Sequence, residues 1–301
     1  MDYNLIFTDF VKDGKMEFDV PMKEHTTFKI GGPADAMFFP ENENDIWNCV
    51  KICEANKIKH FIMGNGSNLL VSDEGIRGLV IRISKNMDKV ELVRDSTIYA
   101  GAGISLAKLA AFAYENELSG LEFASGIPGT LGGGVTMNAG AYDGEMKDVV
   151  SGVNAVDTNG KKYTFNNSQM KFNYRTSAIQ GSGLIVTGAE IKLIKGDKTD
   201  IANKMADLNN RRKDKQPLEL PSGGSTFKRP EGYYAAKLIE EAGLKGYAIG
   251  GACVSSKHAG FIVNTGNACC EDVRKLIDHV RNVVYEKHGI LLETEVKMAG
   301  D

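Results

Sequence analysis

The sequence predicts an α+β protein in which helices and strands are mixed along the chain without a steady βαβ rhythm. Helical spacing of apolar residues at 44–57 is followed by strand-like apolar runs at 60–63, 78–83, 89–93 and 97–100. Glycine is also abundant, at 34 of 301 residues, whereas proline contributes only 7. Because the glycines cluster, they favour a backbone that comes very close to a ligand rather than low-complexity disorder.

The remaining elements are predicted in chain order from the same signals. They are a helix at 105–117, a glycine-rich loop at 126–144, strands at 149–156, 161–165 and 183–193, a polar helix at 195–215, a strand at 224–228, a helix at 233–243, a strand at 260–264, a long helix at 270–288 and a final strand at 290–298. The polar helix ends before Pro217, and its high density of charged residues indicates that it connects two domains. A length of 301 residues agrees with two domains.

Two of these helices carry clear signals for their ends and faces. The first has a polar cap, Asn44 or Asp45, and an apolar face formed by Ile46, Cys49, Val50 and Cys53. The long helix has acidic residues in its first turn and Lys287, His288 and Gly289 at its end. Its predicted buried face consists of Val273, Leu276, Ile277, Val280, Val283 and Val284.

Composition and charge exclude several classes of protein. Lys and Arg number 36 against 39 Asp and Glu, so the formal net charge of −3 gives no reason to expect a nucleic-acid partner. No run approaches the ~18 apolar residues of a transmembrane helix, so no membrane association is expected. The first ten residues have two aspartates and no basic region before an apolar run, unlike a secretory signal. We therefore expect a cytoplasmic protein, with no obligate protein partner evident.

The cysteines and histidines predict no metal site. The five cysteines include no C-x-x-C pair, and none of the five histidines is spaced as H-x-x-x-H. An odd number of cysteines in this arrangement is typical of reduced thiols that serve as small apolar side chains.

The first glycine loop, GNGSNLL at 64–70, follows the predicted strand at 60–63. It is not a dinucleotide G-x-G-x-x-G motif, because Leu69 occupies the last glycine position, and GAGISL at 101–106 fails in the same way at Leu106. Successive backbone N–H groups with Ser67 and Asn68 nonetheless suit a phosphate. A tight turn of the same composition is the alternative interpretation.

The second glycine loop, at 124–145, is longer and more specific. Glycine and proline between 126 and 140 argue against a regular helix or a central strand. Long loops in compact domains are usually functional or disordered, and the apolar and aromatic residues here argue against disorder. Two such loops indicate a large extended ligand along the main chain, with a structural Ω-loop as the alternative.

Long ordered motifs resemble the UDP-N-acetylenolpyruvoylglucosamine reductase (MurB) family over nearly the whole chain. The motifs that carry the resemblance are HTTFKIGGPADAMFFP at 25–40, GNGSNLLVSDEGIRGLVIRI at 64–83, SGIPGTLGGGVTMNAGAYDGE at 125–145, FNYRTS at 172–177, LPSGGSTFKRP at 220–230, KLIEEAGLKG at 237–246, SSKHAGFIVN at 255–264 and LETEV at 292–296. Only the first ~20 residues lack a counterpart in the family pattern.

The resemblance implies an FAD-binding domain of the vanillyl-alcohol-oxidase (PCMH) type and a smaller α+β substrate-binding domain. It places an extension at 1–24, the FAD domain at 25–195 with subdomains of about 25–83 and 84–195, and the substrate domain at 196–301. The last strand is expected to return to the active site. The positions expected to bind FAD are Gly64, Asn65, Gly66, Ser67, Asn68, Gly101, Ser125, Gly126, Ile127, Pro128, Gly129, Thr130, Gly133, Asn138, Ala139, Gly140 and Ala141.

The implied reaction is the NADPH-dependent reduction of UDP-N-acetylglucosamine enolpyruvate to UDP-N-acetylmuramate in peptidoglycan precursor synthesis. Hydride passes from NADPH to FAD and then to substrate C3, which leaves carbanion character at C2. Matching motifs assign Arg175 to the carboxylate, Ser225 to protonation at C2 and Glu295 to assistance or orientation. Taken alone, a surface arginine, a turn serine and a solvated strand carboxylate remain the alternatives.

Two local arguments bear on these assignments. GGSTFK is not a G-x-S-x-G nucleophile elbow, because Phe227 stands where glycine is required, so acyl-enzyme hydrolysis is excluded. Alternation in 290–298 places Glu293 and Glu295 on the face opposite Leu292, and only the resemblance selects Glu295.

Substrate-binding candidates are Tyr174, Lys215, Lys228 and Asn264. Only 50 positions separate Arg175 from Ser225, so the chain resembles the shorter form of the family, without the extra tyrosine-bearing loop. An FAD-dependent oxidase of the same superfamily, acting on an alcohol or hydroxy acid, is the alternative function. A ligand-binding sensor that kept the fold is disfavoured because all three catalytic positions are filled.

Overall fold

The computed structural model describes residues 3–7 and 14–300, which contain helices and strands in mixed order. Residues 1–2 and 8–13 of the predicted extension lie outside the described residues. The helices are α1 (Tyr3–Phe7), α2 (Glu43–Ala55), α3 (Leu106–Glu115), α4 (Leu131–Thr136), α5 (Met146–Val149), α6 (Lys198–Lys215), α7 (Ala235–Glu241) and α8 (Cys270–His288). Short 3₁₀ turns occur at Met22–Glu24, Lys85–Met87 and Glu122–Ala124.

The strands are distributed over the whole chain. They are β1 (Lys15–Pro21), β2 (Pro33–Phe39), β3 (His60–Met63), β4 (Leu69–Val71), β5 (Ile76–Arg82), β6 (Val90–Arg94), β7 (Thr97–Gly101), β8 (Leu118–Ser119), β9 (Gly140–Ala141), β10 (Gly144–Glu145), β11 (Val150–Val156), β12 (Lys162–Asn166), β13 (Ile185–Lys192), β14 (Ile194–Lys195), β15 (Ala248–Ile249), β16 (Ala252–Val254), β17 (Ile262–Asn264) and β18 (Lys297–Ala299).

The largest sheet is antiparallel, with the order β12-β11-β13-β7-β6. A second sheet has the order β1-β2-β5-β3, and β3 and β5 pair in parallel. Smaller sheets join β15, β16 and β17, and join β4 to β18 in parallel. This mixture of parallel and antiparallel pairing confirms the predicted α+β class.

The chain divides into two compact units, each with its own apolar core. The larger unit consists of Met1–Phe18, Ala36–Asn65 and Gly78–Arg211, and its core includes Phe38, Leu79 and Ile98. The smaller unit consists of Asp19–Asp35, Gly66–Arg77 and Arg212–Asp301, and its core includes Phe28 and Leu276. The functional domain bounds expected from the resemblance remain predictions.

The first predicted helix is present as α2, and its predicted apolar face is buried at Ile46, Cys49, Val50 and Cys53. The predicted cap was wrong, because the helix begins after Asn42, whose side-chain oxygen accepts from the Asp45 N–H at 3.1 Å. The Asp45 carboxylate in turn accepts from the Asn42 N–H at 3.2 Å, which completes a capping box. Burial raises the pKa of the Cys53 thiol to about 12, so this cysteine acts as an apolar side chain.

The long glycine-rich loop was predicted to lack a regular helix, and this was wrong for Leu131–Thr136, which form α4. A Cβ atom on Gly132 would lie 3.0 Å from the Ala102 Cβ, and one on Gly134 would lie 3.2 Å from Leu106 Cδ1. The missing side chains therefore let this short helix pack closely on Ala102 and on Leu106 at the start of α3. Tertiary contact outweighs the low helix propensity of glycine here.

The predicted strands at 224–228 and 290–298 are only partly regular. Phe227 and Thr294 form an isolated antiparallel bridge, and the regular strand begins at Lys297 as β18. Irregularity arises because the Thr226 N–H donates outside this pairing, to the Gly260 carbonyl at 2.8 Å. Leu292 and Val296 are buried as predicted, but Thr294 and Glu295 are both half-buried, so the face predicted for Glu295 stays a prediction.

The long helix α8 has the predicted bounds and is followed by Gly289, whose φ of 68° lies in the left-handed region. Five of the six side chains predicted to be buried are buried, and Val283 is only partly buried. The first turn also receives a distant cap, since the Asp73 carboxylate accepts from the Cys270 and Glu271 N–H groups at 2.7 and 3.1 Å. A carboxylate at a helix N-terminus is stabilised by both hydrogen bonds and the helix dipole.

Asp73→Ala is expected to destabilise the smaller unit by about 1–2 kcal/mol, because two N–H groups of α8 lose their acceptor. The urea unfolding midpoint measures this loss, and hydrogen exchange of the α8 amides shows whether it is centred on that helix. Glu74→Ala, at an exposed neighbour, is the matched control. Equal unfolding midpoints for the two variants would show that the distant cap contributes nothing.

The longer helices expose many charged residues. Helix α6 buries only Ile201 and Leu208 along its length, and α8 has charged residues at both ends. Among the helices of the described residues, none has the combination of length and apolar character that a membrane crossing requires.

Candidate active site

The first glycine loop, 64–68, connects β3 to β4 and offers backbone donors. Gly66 has a φ of 62°, which favours glycine. Within the described part of the chain, the N–H groups of Asn65, Gly66 and Ser67 donate to no protein acceptor. Three neighbouring unpaired donors on a glycine turn suit an anionic group such as a phosphate.

Close packing at Gly64 joins the two glycine loops within the larger unit. A Cβ atom on Gly64 would lie 2.2 Å from the Thr130 Oγ1. Thr130 is almost fully buried, at 3% exposure, so it has little room to move aside. Glycine at 64 is therefore required by the contact with the second loop.

The second loop begins at a well-anchored serine. The Ser125 hydroxyl donates to the Glu122 carbonyl at 2.8 Å and accepts from the Asn209 amide at 3.2 Å. The Glu122 carboxylate is buried and accepts from the Ser119 hydroxyl and the Gly120 N–H. Helix α6 and the preceding turn thus fix the start of this loop.

Beyond Ser125, the loop exposes further unpaired backbone donors. Of the described residues, Gly126, Gly129, Thr130 and Gly133 have N–H groups that donate to no protein acceptor. Pro128 and Gly133 are exposed, and Ile127 is partly buried against the core. The unpaired donors of this second loop suit a long polar cofactor, as FAD is.

Several other residues predicted to bind the cofactor make hydrogen bonds or strand pairs within the protein. The Gly101 N–H donates to the Lys89 carbonyl at 2.8 Å, and the Asn68 amide donates to the Glu295 carbonyl at 3.1 Å. The Ala139 N–H donates to the Gly134 carbonyl at 2.8 Å, while Gly140 and Ala141 form β9. Their expected contacts with FAD remain predictions.

Asn138 is the most enclosed of the predicted cofactor positions, at 0% exposure. Its Nδ2 donates to Glu145 Oε2 at 3.0 Å and to the Asn173 carbonyl at 3.1 Å, and its Oδ1 accepts from the Lys147 N–H at 2.9 Å. The amide therefore joins the end of the glycine loop to the turn that carries Arg175.

Arg175 lies in a strained turn of the larger unit. Its φ of 55° is unusual for a residue with a side chain, and such outliers concentrate at functional sites. Its Nη2 donates to the Gly140 carbonyl at 3.3 Å, and its guanidinium carbon lies 5.3 Å from the Tyr174 ring centre. The half-buried guanidinium is held beside the end of the glycine loop.

Ser225 and Glu295 belong to facing segments of the smaller unit. The Glu295 N–H donates to the carbonyl of Thr226, the neighbour of Ser225, at 2.8 Å. Gly224 has a φ of 80°, which turns the chain immediately before Ser225. The structure therefore places the backbones of these two predicted residues, both half-buried, on adjacent segments, and their roles remain predictions.

Thr226 is a residue that the sequence reasoning missed. It is fully buried, its Oγ1 accepts from the Ile262 N–H at 3.0 Å, and its own N–H donates to the Gly260 carbonyl at 2.8 Å. These bonds fix the backbone beside Ser225. Its position between Ser225 and the apolar Phe227 could have indicated a buried hydroxyl from the sequence.

The predicted substrate-binding residues occupy different settings. Lys228 pairs with Glu293 at 2.9 Å, and this ammonium lowers the pKa of the Glu293 carboxyl. Asn264 is buried, where its Nδ2 donates to the Phe28 carbonyl and its Oδ1 accepts from the Gly266 N–H. Tyr174 and Lys215 are exposed. Their roles toward substrate remain predictions.

The described residues contain no group of three or more His, Cys, Asp or Glu side chains arranged to hold a metal ion. Among the histidines, His258 accepts from the Gly260 N–H at 3.1 Å, and burial lowers the pKa of its imidazole. All five cysteines are free thiols. The expectation of no metal stays a prediction.

Two protein families match separate parts of the chain. Residues 34–166 match the family described as "FAD binding domain". Residues 216–299 match the family described as "UDP-N-acetylenolpyruvoylglucosamine reductase, C-terminal domain". The first match includes both glycine loops, and the second includes Ser225 and Glu295.

Relatives and a solved structure cover nearly the full chain. The UDP-N-acetylenolpyruvoylglucosamine reductase of Caldanaerobacter subterraneus subsp. tengcongensis is 52% identical over 293 residues, which are 97% of this chain and 96% of the relative. That of Alkaliphilus oremlandii is 51% identical over 94% of this chain and 93% of its own length. The crystal structure of the Thermus caldophilus reductase (MurB) is 35% identical and covers 95% of this chain and 99% of its own, with a TM-score of 0.81.

A more distant similarity concerns the fold alone. The structure of an alkyldihydroxyacetonephosphate synthase is 18% identical and matches 65% of this chain and 41% of its own, with a TM-score of 0.50. Together with the FAD-domain match, the comparisons confirm the predicted α+β fold with an FAD-binding domain. The chain belongs to the UDP-N-acetylenolpyruvoylglucosamine reductase family.

Proposed function

We propose that this chain is an NADPH-dependent flavoenzyme that reduces UDP-N-acetylglucosamine enolpyruvate to UDP-N-acetylmuramate in peptidoglycan precursor synthesis. The observation that carries the proposal is its membership of the reductase family over nearly its whole length. When bound, FAD supplies the hydride chemistry between NADPH and C3 of the enolpyruvyl group. The protein's own residues must hold FAD, stabilise the anion and deliver a proton.

FAD binding is assigned to the two glycine loops. The unpaired N–H groups of Asn65, Gly66 and Ser67 would meet the pyrophosphate, as helix and loop N–H groups do at other phosphate sites. The donors between Gly126 and Gly133 would lie along the rest of the cofactor. This assignment is supported by backbone donors that the protein itself leaves unpaired.

Arg175 is assigned to the substrate carboxylate. Hydride addition at C3 leaves negative charge at C2 that spreads onto this carboxylate. A planar guanidinium, permanently charged, can hold the carboxylate through two hydrogen bonds. Its attraction strengthens as the anion forms, so it lowers the barrier rather than only binding substrate.

Ser225 is assigned to proton delivery at C2, with Glu295 assisting protonation or orienting the substrate. The bonds of Thr226 on one side and the turn at Gly224 on the other hold the backbone of Ser225 in place. A neutral hydroxyl is a weak acid, but a carbanion is a strong enough base to accept its proton. The diphosphate and carboxylate of the substrate are assigned to Tyr174, Lys215, Lys228 and Asn264.

The reaction is assigned to the cytoplasm. Free thiols at all five cysteines support a reducing compartment.

Gly64→Ala is expected to weaken FAD binding, because its Cβ would meet the Thr130 Oγ1 at 2.2 Å and displace one loop against the other. The affinity is measured by titrating the protein with FAD and following the quenching of flavin fluorescence on binding. The double variant Gly64→Ala/Thr130→Ala removes the clashing oxygen and should recover part of the lost affinity.

Gly152→Ala, in β11 and outside the predicted cofactor positions, is the comparison variant, since its Cβ would have only ordinary contact, 3.6 Å from the Glu190 Cβ. It should bind FAD as tightly as the wild type. If Gly64→Ala binds FAD as tightly as the wild type, the close approach of the two loops is not required for the cofactor.

Isotope labelling tests the proposed reaction. The enzyme, given NADPH deuterated at the transferred position in ordinary water, should place deuterium at C3 of the product. With ordinary NADPH in heavy water, it should place deuterium at C2. Rapid oxygen consumption without conversion of the enolpyruvyl sugar would instead support an oxidase.

A further inference from the structure

A buried amide holds the turn that carries Arg175. The Asn138 Nδ2 donates to the Asn173 carbonyl at 3.1 Å, and that residue and Thr176 form an antiparallel bridge. Arg175 lies inside this turn with a φ of 55°. A side chain in left-handed backbone persists only where its surroundings impose that conformation.

The other end of the turn is anchored to the same short stretch. The Ser177 hydroxyl donates to the Thr136 carbonyl at 2.9 Å, and Arg175 Nη2 donates to the Gly140 carbonyl at 3.3 Å. Residues 136–140 therefore contact the turn before, at and after the arginine. The end of the glycine loop and the Arg175 turn form one connected structure within the larger unit.

Glu145 fixes the orientation of the amide. Its Oε2 accepts from Asn138 Nδ2 at 3.0 Å and pairs with the Lys147 ammonium at 2.8 Å. On the opposite side, Asn138 Oδ1 accepts from the Lys147 N–H at 2.9 Å. With acceptors facing the NH₂ group and a donor facing the oxygen, the flipped amide would lose all three hydrogen bonds. Asn138 itself has a φ of 44°, in the left-handed region that asparagine adopts more readily than most residues with a side chain.

We propose that Asn138, oriented by Glu145, is a positioning residue that holds the guanidinium of Arg175 in the geometry required for the substrate carboxylate. This inference rests on the proposed function for the role of Arg175. It takes the place of the contact with FAD that the resemblance implies for Asn138, because this amide is fully buried and its hydrogen bonds are made within the protein. Asn138 then acts through Arg175 and affects only the half-reaction in which the enolpyruvyl sugar accepts hydride.

The test uses the FAD-loaded enzyme and three readouts for Asn138→Ala. Reduction by NADPH in stopped flow should stay within about twofold of the wild type, whereas reoxidation by the sugar should fall about 10²-fold, the cost of misplacing a reacting group by about 1 Å. The dissociation constant of FAD should be unchanged. In an Arg175→Ala background, Asn138→Ala should cause no further loss of reoxidation rate.

Asn167→Ala is the matched control, since the Asn167 amide also donates to two carbonyls, of Lys147 and Val150, at 2.8 and 2.7 Å. It should leave both half-reactions near the wild-type rates. Ser177→Ala is a milder second variant, which removes one anchor of the turn and should slow reoxidation less than Asn138→Ala does. Equal slowing of both half-reactions, weaker FAD binding or a further loss in the Arg175→Ala background would each overturn the proposal.

Hydrogen exchange gives a readout that needs no substrate. The Thr176 amide donates to the Asn173 carbonyl at 3.2 Å, so its exchange should be faster in Asn138→Ala and unchanged in Asn167→Ala. If the wild type is not reoxidised by the sugar, the proposed function fails, yet this exchange result still decides whether Asn138 holds the turn. Unchanged exchange at Thr176 contradicts the proposal whatever the substrate is.

Discussion

Ser225→Ala is expected to leave reduction by NADPH intact and to slow reoxidation by the enolpyruvyl sugar by about 10²- to 10⁴-fold, the usual contribution of a positioned proton donor. The hydroxyl is the only group that the substitution removes, and the neighbouring Thr226 keeps its bonds to Gly260 and Ile262. The backbone should therefore stay in place. Stopped-flow absorbance of the flavin resolves the two half-reactions.

Ser256→Ala is the control for Ser225→Ala, since Ser256 is exposed and lies in the same unit. Solvent deuterium should slow reoxidation of the wild type and should have a different effect on the variant, because proton delivery then comes from another source. Normal reoxidation by the Ser225→Ala enzyme would remove this serine from the mechanism.

Arg175→Lys is expected to slow reoxidation by about 10²- to 10³-fold, or about 3–4 kcal/mol, although the charge is kept. Lysine is a compact point charge that cannot hold a carboxylate through a planar pair of hydrogen bonds. It also cannot reproduce a guanidinium held beside both the Gly140 carbonyl and the Tyr174 ring. Single-turnover reoxidation by the sugar measures the effect.

Arg94→Lys, at an exposed strand end, is the matched control and should leave the rate unchanged. A rise in the KM for the sugar with an unchanged kcat would show that Arg175 binds substrate and anion equally. That result would contradict its assignment to the anion formed at C2. A fall in kcat supports it.

The strongly periodic parts of the fold were predictable from the sequence. Helix α8 has the predicted bounds because its apolar spacing, acidic first turn and terminal Gly289 all agree. Helix α4 was not predictable, because its three consecutive glycines have low helix propensity and two of them, Gly132 and Gly134, pack closely on Ala102 and Leu106. Contacts of that kind leave no periodic signal in the sequence.

The candidate site was less predictable from the residues alone. Local spacing did not distinguish Arg175, Ser225 or Glu295 from ordinary surface residues, and the resemblance to a family selected them. The bonds that position them are distant in sequence, since Asn138 contacts Asn173 across 35 residues and Thr226 contacts Ile262 across 36. Only the folded chain brings such pairs together.

The anaerobic visible spectrum of the purified protein tests the central claim most directly. FAD-loaded protein should be yellow, bleach on addition of NADPH and recover its colour on addition of UDP-N-acetylglucosamine enolpyruvate, without oxygen. Protein that bleaches and stays bleached would contradict the substrate assignment while keeping the flavin domain. Protein that remains colourless after addition of FAD would contradict the role of the glycine loops and the function built on them.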